Sequence, residues 1–157
     1  MRWQKNGYLI STDKAKLNIS YIHRFLSAES YWAQHIPLYI VQKSVENSLC
    51  FGLYFKESQM GFARVITDEA TFGYLADVFI DKEYRGQKLG KWLMEIVMEH
   101  PALQGLRRIM LATRDAQDLY APFGFQFPVD NKELMYIRRP DIYRKENSQN
   151  LTDPDFL

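Results

Sequence analysis

The passage from Tyr74 to Met94 constrains the fold most, because one apolar pattern stops there and a different one begins. Val78, Phe79 and Ile80 form a short β-branched and aromatic run, the signature of an extended strand buried on both faces. The run stops at Asp81. From Leu89 the apolar residues recur as Leu89, Leu93, Ile96 and Val97, the spacing of a helix face laid on a sheet. The polar segment from Arg85 to Gly90 therefore feeds a helix N-terminus, where backbone N–H groups lack intrahelical partners and the macrodipole attracts anions. Gly86 and Gly90 allow close approach of the backbone, and Arg85, Lys88 and Lys91 add positive charge. This local chemistry predicts a cradle for a group with more than one negative charge, such as a pyrophosphate.

Two familiar phosphate loops fail the comparison. A P-loop needs a hydroxyl after Gly-Lys, and Gly90-Lys91 is followed by Trp92. A dinucleotide fingerprint needs three glycines at fixed offsets, and only Gly86 and Gly90 are present. What Arg85-Gly86-Gln87-Lys88-Leu89-Gly90 resembles is the acyl-CoA loop of the GCN5-related N-acetyltransferases (GNAT), Arg/Gln-x-x-Gly-x-Gly/Ala after a strand ending in Val or Ile. Arg85 and Gly90 match. Lys88 departs where the family usually has glycine, and it presents its N–H there if its φ is negative.

A chain of 157 residues fits one domain. With 46% apolar and 15% aromatic residues it is not a disordered chain. The formal net charge of +1 leaves no electrostatic footprint for nucleic acid and directs attention to small-molecule or peptide work. Cys50 is the only cysteine, so neither an intrachain disulfide nor a thiolate metal cluster is expected, and a cytoplasmic setting fits. His23, His35 and His100 lack a ligand spacing, so no metal is expected, and no apolar run approaches a membrane span.

Along the chain, Tyr8 to Ser11 predicts a strand, Asn18 caps a helix, and a second helix runs from about Pro37 to Glu46. Tyr31 and Trp32, between the helices, either wall a pocket or plug the core. Ser48 to Phe55, Gly61 to Ile66 and Thr71 to Ile80 form an antiparallel meander. The helix from Gly90 to Glu99 stops at His100-Pro101, and Arg108 to Thr113 returns as a parallel strand by a right-handed crossover. A short helix from Asp115 to Tyr120 follows, and Leu134 to Ile137 closes the sheet. The reading is one domain over residues 1–140 with a polar tail over 141–157.

A second resemblance to the family falls in the expected order: Thr113, Ala116, Leu119-Tyr120 and Gly124-Phe125, with Thr113 standing where the family has Asn. By motif the resemblance covers Thr71 to Phe125 and elsewhere only element order. It implies an α/β (α+β) GNAT fold, a mixed and mostly antiparallel sheet of six or seven strands with helices on both faces and a splayed central strand pair. It implies acetyl-CoA as co-substrate, with Val78, Phe79 and Ile80 holding the pantetheine. The loop of Arg85, Gly86, Gln87, Lys88, Leu89, Gly90 and Lys91 would hold the pyrophosphate, and Thr113 would assist.

The implied activity is transfer of an acetyl group to an amine of a small molecule or peptide, by a monomer or homodimer. Tyr120 matches the position of the general acid toward the CoA sulfur. Asp77 is a candidate for the base or for binding the amine, or else a structural hydrogen-bonding residue. Strict strand alternation puts Ala76 with Val78 and Ile80, away from Asp77, unless a bulge intervenes. Tyr74, Tyr31 and Trp32 are candidate acceptor contacts. A different class of protein with the same fold, an acyl-CoA-binding sensor without transfer, is the alternative.

Overall fold

Among the described residues six strands pair in chain order, and only the last pair is parallel. The strands are β1 (Arg2–Lys5), β2 (Tyr8–Ser11), β3 (Leu49–Phe55), β4 (Ser58–Thr67), β5 (Phe72–Ile80) and β6 (Arg108–Met110). The helices are α1 (Ile19–Arg24), continued by a π-helical turn over Phe25–Glu29, α2 (Leu38–Glu46), α3 (Leu89–Glu99) and α4 (Gln117–Tyr120). This computed structural model describes residues 1–130, 132 and 134–144. The chain forms two compact units, one of Met1–Asn18 with Lys43–Gln126 and the other of Ile19–Gln42 with the described residues from Phe127 onward.

The first unit holds the sheet. Its core lies between one sheet face, carrying Phe51, Leu53, Val65 and Leu75, and the apolar stripe of α3, where Leu93 and Val97 are fully buried. Burying a leucine of this kind contributes about 1.5–3 kcal/mol. α3 ends where His100 turns extended before Pro101, its N–H donating to the Val97 carbonyl at 3.2 Å. On the opposite face Cys50 lies across the ladder from Arg64 and donates its thiol to the Val45 carbonyl at the end of α2, at 3.5 Å. Helical segments thus meet both faces.

Turn chemistry sets the register. Asn6 (φ 51) and Gly7 (φ 80) make the two-residue turn that pairs β1 with β2. The sequence reading passed over β1, because Trp3 is its one apolar residue. Between β4 and β5, Asp68 accepts from the N–H groups of Ala70, Thr71 and Phe72 and from the Thr71 hydroxyl, at 2.6–3.1 Å.

Two expectations need correction. β6 ends at Met110 and not at Thr113. β5 offers it pairs only from Phe72 to Tyr74, so Leu111 to Thr113 have no strand to pair with. Leu134 to Ile137 form no strand, and Met135 and Ile137 are 96% and 87% exposed. A four-residue apolar run is extended only when a neighbouring edge accepts its hydrogen bonds, and no ladder partner occurs among the described residues. Residues 145–157 of the expected tail lie outside the described residues.

Candidate active site

β5 and β6 part company early. Their parallel pairs are Phe72 with Arg108, Gly73 with Ile109 and Tyr74 with Met110, and pairing stops there. From Leu75 to Ile80, β5 keeps its β4 ladder, and no strand among the described residues pairs with its other edge. A second extended chain fits such an edge by main-chain hydrogen bonding.

That edge runs straight into the glycine-bearing loop. The first bond of the α3 ladder is Trp92 N–H to the Lys88 carbonyl at 3.1 Å, so the N–H groups of Leu89, Gly90 and Lys91 lie ahead of it, and no side chain caps the helix. Lys88 sits at φ 62, ψ 13, in the left-handed region. The negative φ on which its N–H was to depend is not met: the turn from loop to helix reverses through this residue, which is why a glycine suits it. Gly86 is also left-handed, at φ 79. Arg85 Nε donates to the Ile80 carbonyl at 3.0 Å, tying the loop to the strand end. Gln87 Oε1 accepts from the Tyr8 hydroxyl at 2.7 Å. Gly90 faces inward: a Cβ there would stand 3.8 Å from both Ile80 and Leu119. Loop, strand end and α4 therefore meet at one point.

Tyr120 follows Leu119 in α4. Its side chain is buried in the α3 core cluster and meets Phe125 edge-on, ring centroids 6.0 Å apart. The Thr113 hydroxyl accepts from the Ala116 N–H at 3.0 Å, which shapes the entry to α4.

A bulge interrupts β5 at Asp77. Arg64 pairs with Ala76 and Phe62 with Phe79, so Ala63 faces two residues, Asp77 and Val78. Asp77 takes φ 53. The extra residue brings Ala76 and Phe79 to the same face, correcting the strict alternation that grouped Ala76 with Val78 and Ile80. Val78 and Ile80 pack toward the α3 core. Arg64 Nε donates to Asp77 Oδ2 at 2.5 Å, with side chains 15% and 8% exposed. Tyr74, two positions before Ala76, shares the Arg64 face at the point where β5 and β6 separate.

A family model for acetyltransferases of the GNAT family matches residues 15–125. The chain belongs to that family. It is 39% identical to a Gibberella zeae protein named as an acetyltransferase, over 75% of this chain and 78% of that one. A crystal structure of a GNAT-family protein from Xanthomonas campestris pv. campestris superposes with TM-score 0.87 at 48% identity, covering 90% of this chain and 100% of that one. A GNAT-family acetyltransferase from Elizabethkingia anophelis, solved with acetyl-CoA bound, shares the fold at TM-score 0.60 and 13% identity, covering 79% of each chain.

Within this GNAT chain, sequence reasoning passed over Tyr8, Ser48 and Arg64. Arg64 alone left a signal, a single charge inside the apolar strand Gly61-Phe62-Ala63-Arg64-Val65-Ile66, which needs a partner once buried. In the second unit Tyr31 and Trp32 meet edge-on with centroids 5.0 Å apart and are 39% and 43% exposed, so neither is a core plug. The Ser30 hydroxyl donates to the Leu26 carbonyl and accepts from the Ala33 N–H, fixing the turn that carries them. Among the described residues no helix is long and apolar enough to cross a membrane, and no cluster of three His, Cys, Asp or Glu side chains is placed to hold a metal ion.

Proposed function

We propose that this chain is an acetyl-CoA-dependent N-acetyltransferase acting on a primary amine of a small molecule or peptide. The observation that carries the reading is the continuity of one surface: the open β5 edge after Tyr74, the Arg85–Lys91 loop, and the uncapped N-terminus of α3. An acyl-CoA has the matching parts in the matching order, an amide-bearing pantetheine and then a pyrophosphate. Main-chain groups of Val78, Phe79 and Ile80 would hold the first. The N–H groups of the loop and first turn, with Arg85, Lys88 and Lys91, would hold the second. The bound co-substrate supplies an activated thioester.

Two proton transfers then need groups. An amine with an ordinary pKa near 10.4 must lose a proton before it attacks, and a water chain at the open edge is the proposed route. The departing thiolate is better received by a donor, and Tyr120 is the proposed general acid. A tyrosine with an ordinary pKa near 10 carries its proton at neutral pH without tuning. The exposed Tyr31 and Trp32 pair is the proposed receiver of the acceptor's cationic or apolar part, with Tyr74 as a further acceptor contact. A lone buried Cys50 whose thiol is pushed up to about 11 by burial suits a reducing, cytoplasmic setting.

The test is calorimetry with acetyl-CoA followed by a panel of amines and peptides assayed for CoA release. Binding with amine-dependent release is expected. Binding without release from any acceptor favours a sensor of the same fold, and no binding overturns the reading.

A further inference from the structure

Among the described residues Asp77 is the one inside a strand with a left-handed backbone, an uncommon choice for a non-glycine residue that Asp and Asn tolerate best. Something must hold it there. Its carboxylate accepts from Arg64 Nε at 2.5 Å, and Arg64 Nη1 donates to Ser48 Oγ at 3.1 Å. Ser48 Oγ spends its proton on the Ser44 carbonyl near the end of α2, at 2.7 Å, which leaves a lone pair aimed at the guanidinium. The result is a directed chain from Asp77 through Arg64 and Ser48 to the α2 backbone. Past the bulge the strand is fixed again at Asp81, whose N–H donates to the Met60 carbonyl at 2.7 Å. Val78, Phe79 and Ile80 lie between these two points, Phe79 and Ile80 on the β4 ladder, and they belong to the edge that β6 has left.

We infer that Arg64 is a positioning residue for acyl transfer, acting through Asp77: the pair locks the β5 bulge and thereby aims the Val78–Ile80 main chain at the co-substrate. On this assignment Asp77 holds the backbone and does not take the proton of the amine. The inference rests on the function proposed above. An ion pair this enclosed also makes each single substitution costly, because it strands a buried charge. Asp77→Asn keeps the shape and the tolerance for positive φ, and the double variant Arg64→Gln with Asp77→Asn leaves two neutral partners able to bond each other.

The experiment measures acetyl-CoA affinity by calorimetry, single-turnover transfer across pH with an accepted amine, and hydrogen exchange at Val78–Ile80. In Asp77→Asn, and in the double variant, we expect acetyl-CoA to bind at least fivefold more weakly and the Phe79 amide, which faces the β4 ladder, to exchange at least tenfold faster. The alkaline-favoured limb of the pH–rate profile should remain where it is in the parent, and the double variant should be no worse than Asp77→Asn. If Asp77→Asn abolishes that limb while affinity and exchange stay parental, Asp77 is the base and the inference is wrong. If both variants only melt earlier, with parental affinity, rate and exchange at low temperature, the pair is merely structural and the inference is equally wrong. A parent protein that fails to bind acetyl-CoA at all overturns the proposed function, and this assignment with it.

Discussion

The Tyr8 hydroxyl donates to Gln87 Oε1 at 2.7 Å, joining the first hairpin to the middle of the loop ahead of α3 across 79 positions of sequence. The bond fixes one end of the Gln87 amide. Tyr8 also packs on Phe55 at a centroid distance of 5.0 Å, so its ring is held whether or not the hydroxyl is present. Tyr8→Phe should therefore leave the fold intact and loosen the loop. A neutral hydrogen bond contributes about 0.5–1.5 kcal/mol, which corresponds to a roughly two- to tenfold rise in the acetyl-CoA dissociation constant by calorimetry. An unchanged constant would show that Gln87 needs no anchor.

Lys88 carries two opposed effects. Its left-handed backbone costs about 1–2 kcal/mol for an L-residue, while glycine in its place gives back roughly 0.5–1 kcal/mol through the entropy of the unfolded chain. Lys88→Gly should then raise the unfolding free energy modestly in urea titrations, and a β-branched residue at the same position should lower it. Removing the ammonium should also reduce the salt dependence of acetyl-CoA binding. If the glycine variant is less stable than the parent, the loop is not strained at this position.

The Tyr54 hydroxyl is buried without a hydrogen-bond partner among the described residues, and burial drives the phenol's pKa far upward. It stands over Gly52, where a Cβ would come within 2.3 Å of Tyr54 Oη. Tyr54→Phe should stabilise the protein by about 1 kcal/mol, since an unsatisfied buried polar group is removed and the ring stays. Gly52→Ala should do the opposite by a larger margin, because the ring has to move. Thermal melts of the two variants check both signs.

His100 makes stability depend on pH. Its ring lies against Phe51 edge-on at 5.4 Å, and its Nδ1 accepts from the Ala102 N–H at 3.2 Å. Burial, aided by the N-terminal ammonium and opposed by Glu69, holds the folded pKa below the ordinary 6.5. The unfolded chain thus takes up the proton first. The neutral ring's contribution is complete above pH about 6.5 and is lost as the pH falls through the lowered folded value. Denaturation curves between pH 7.5 and about 5 should show falling stability, with a shallower slope in His100→Asn, which keeps an acceptor and does not titrate.

Much of this is legible in the sequence, for identifiable reasons. The β5–loop–α3 passage announces itself because the apolar period changes between Ile80 and Leu89, and α3 buries the predicted Leu93, Ile96 and Val97. The bulge at Asp77 was legible only as an alternative to strict alternation, since an extra residue in a ladder is fixed only once Arg64 and Phe62 have found their partners. The left-handed Lys88 was not legible, because the conformation is imposed by the reversal into α3 and not by lysine's own preference. β1 hid behind a single apolar residue, although Asn6-Gly7 marks its turn. The run from Leu134 to Ile137 misled in the other direction, for it has the composition of a strand without the partner that makes one.

The most direct test concerns Tyr120, buried beside Phe125 on the helix that meets Gly90 and Ile80. Tyr120→Phe preserves the ring and removes the hydroxyl, so melting temperature and acetyl-CoA affinity should stay near parental. Once the amine and peptide panel has supplied an acceptor, single-turnover CoA release should fall by about 10²–10⁴-fold, the usual contribution of general acid catalysis. Release at the parental rate across the pH range would contradict the account and leave Tyr120 a packing residue, with water as the acid.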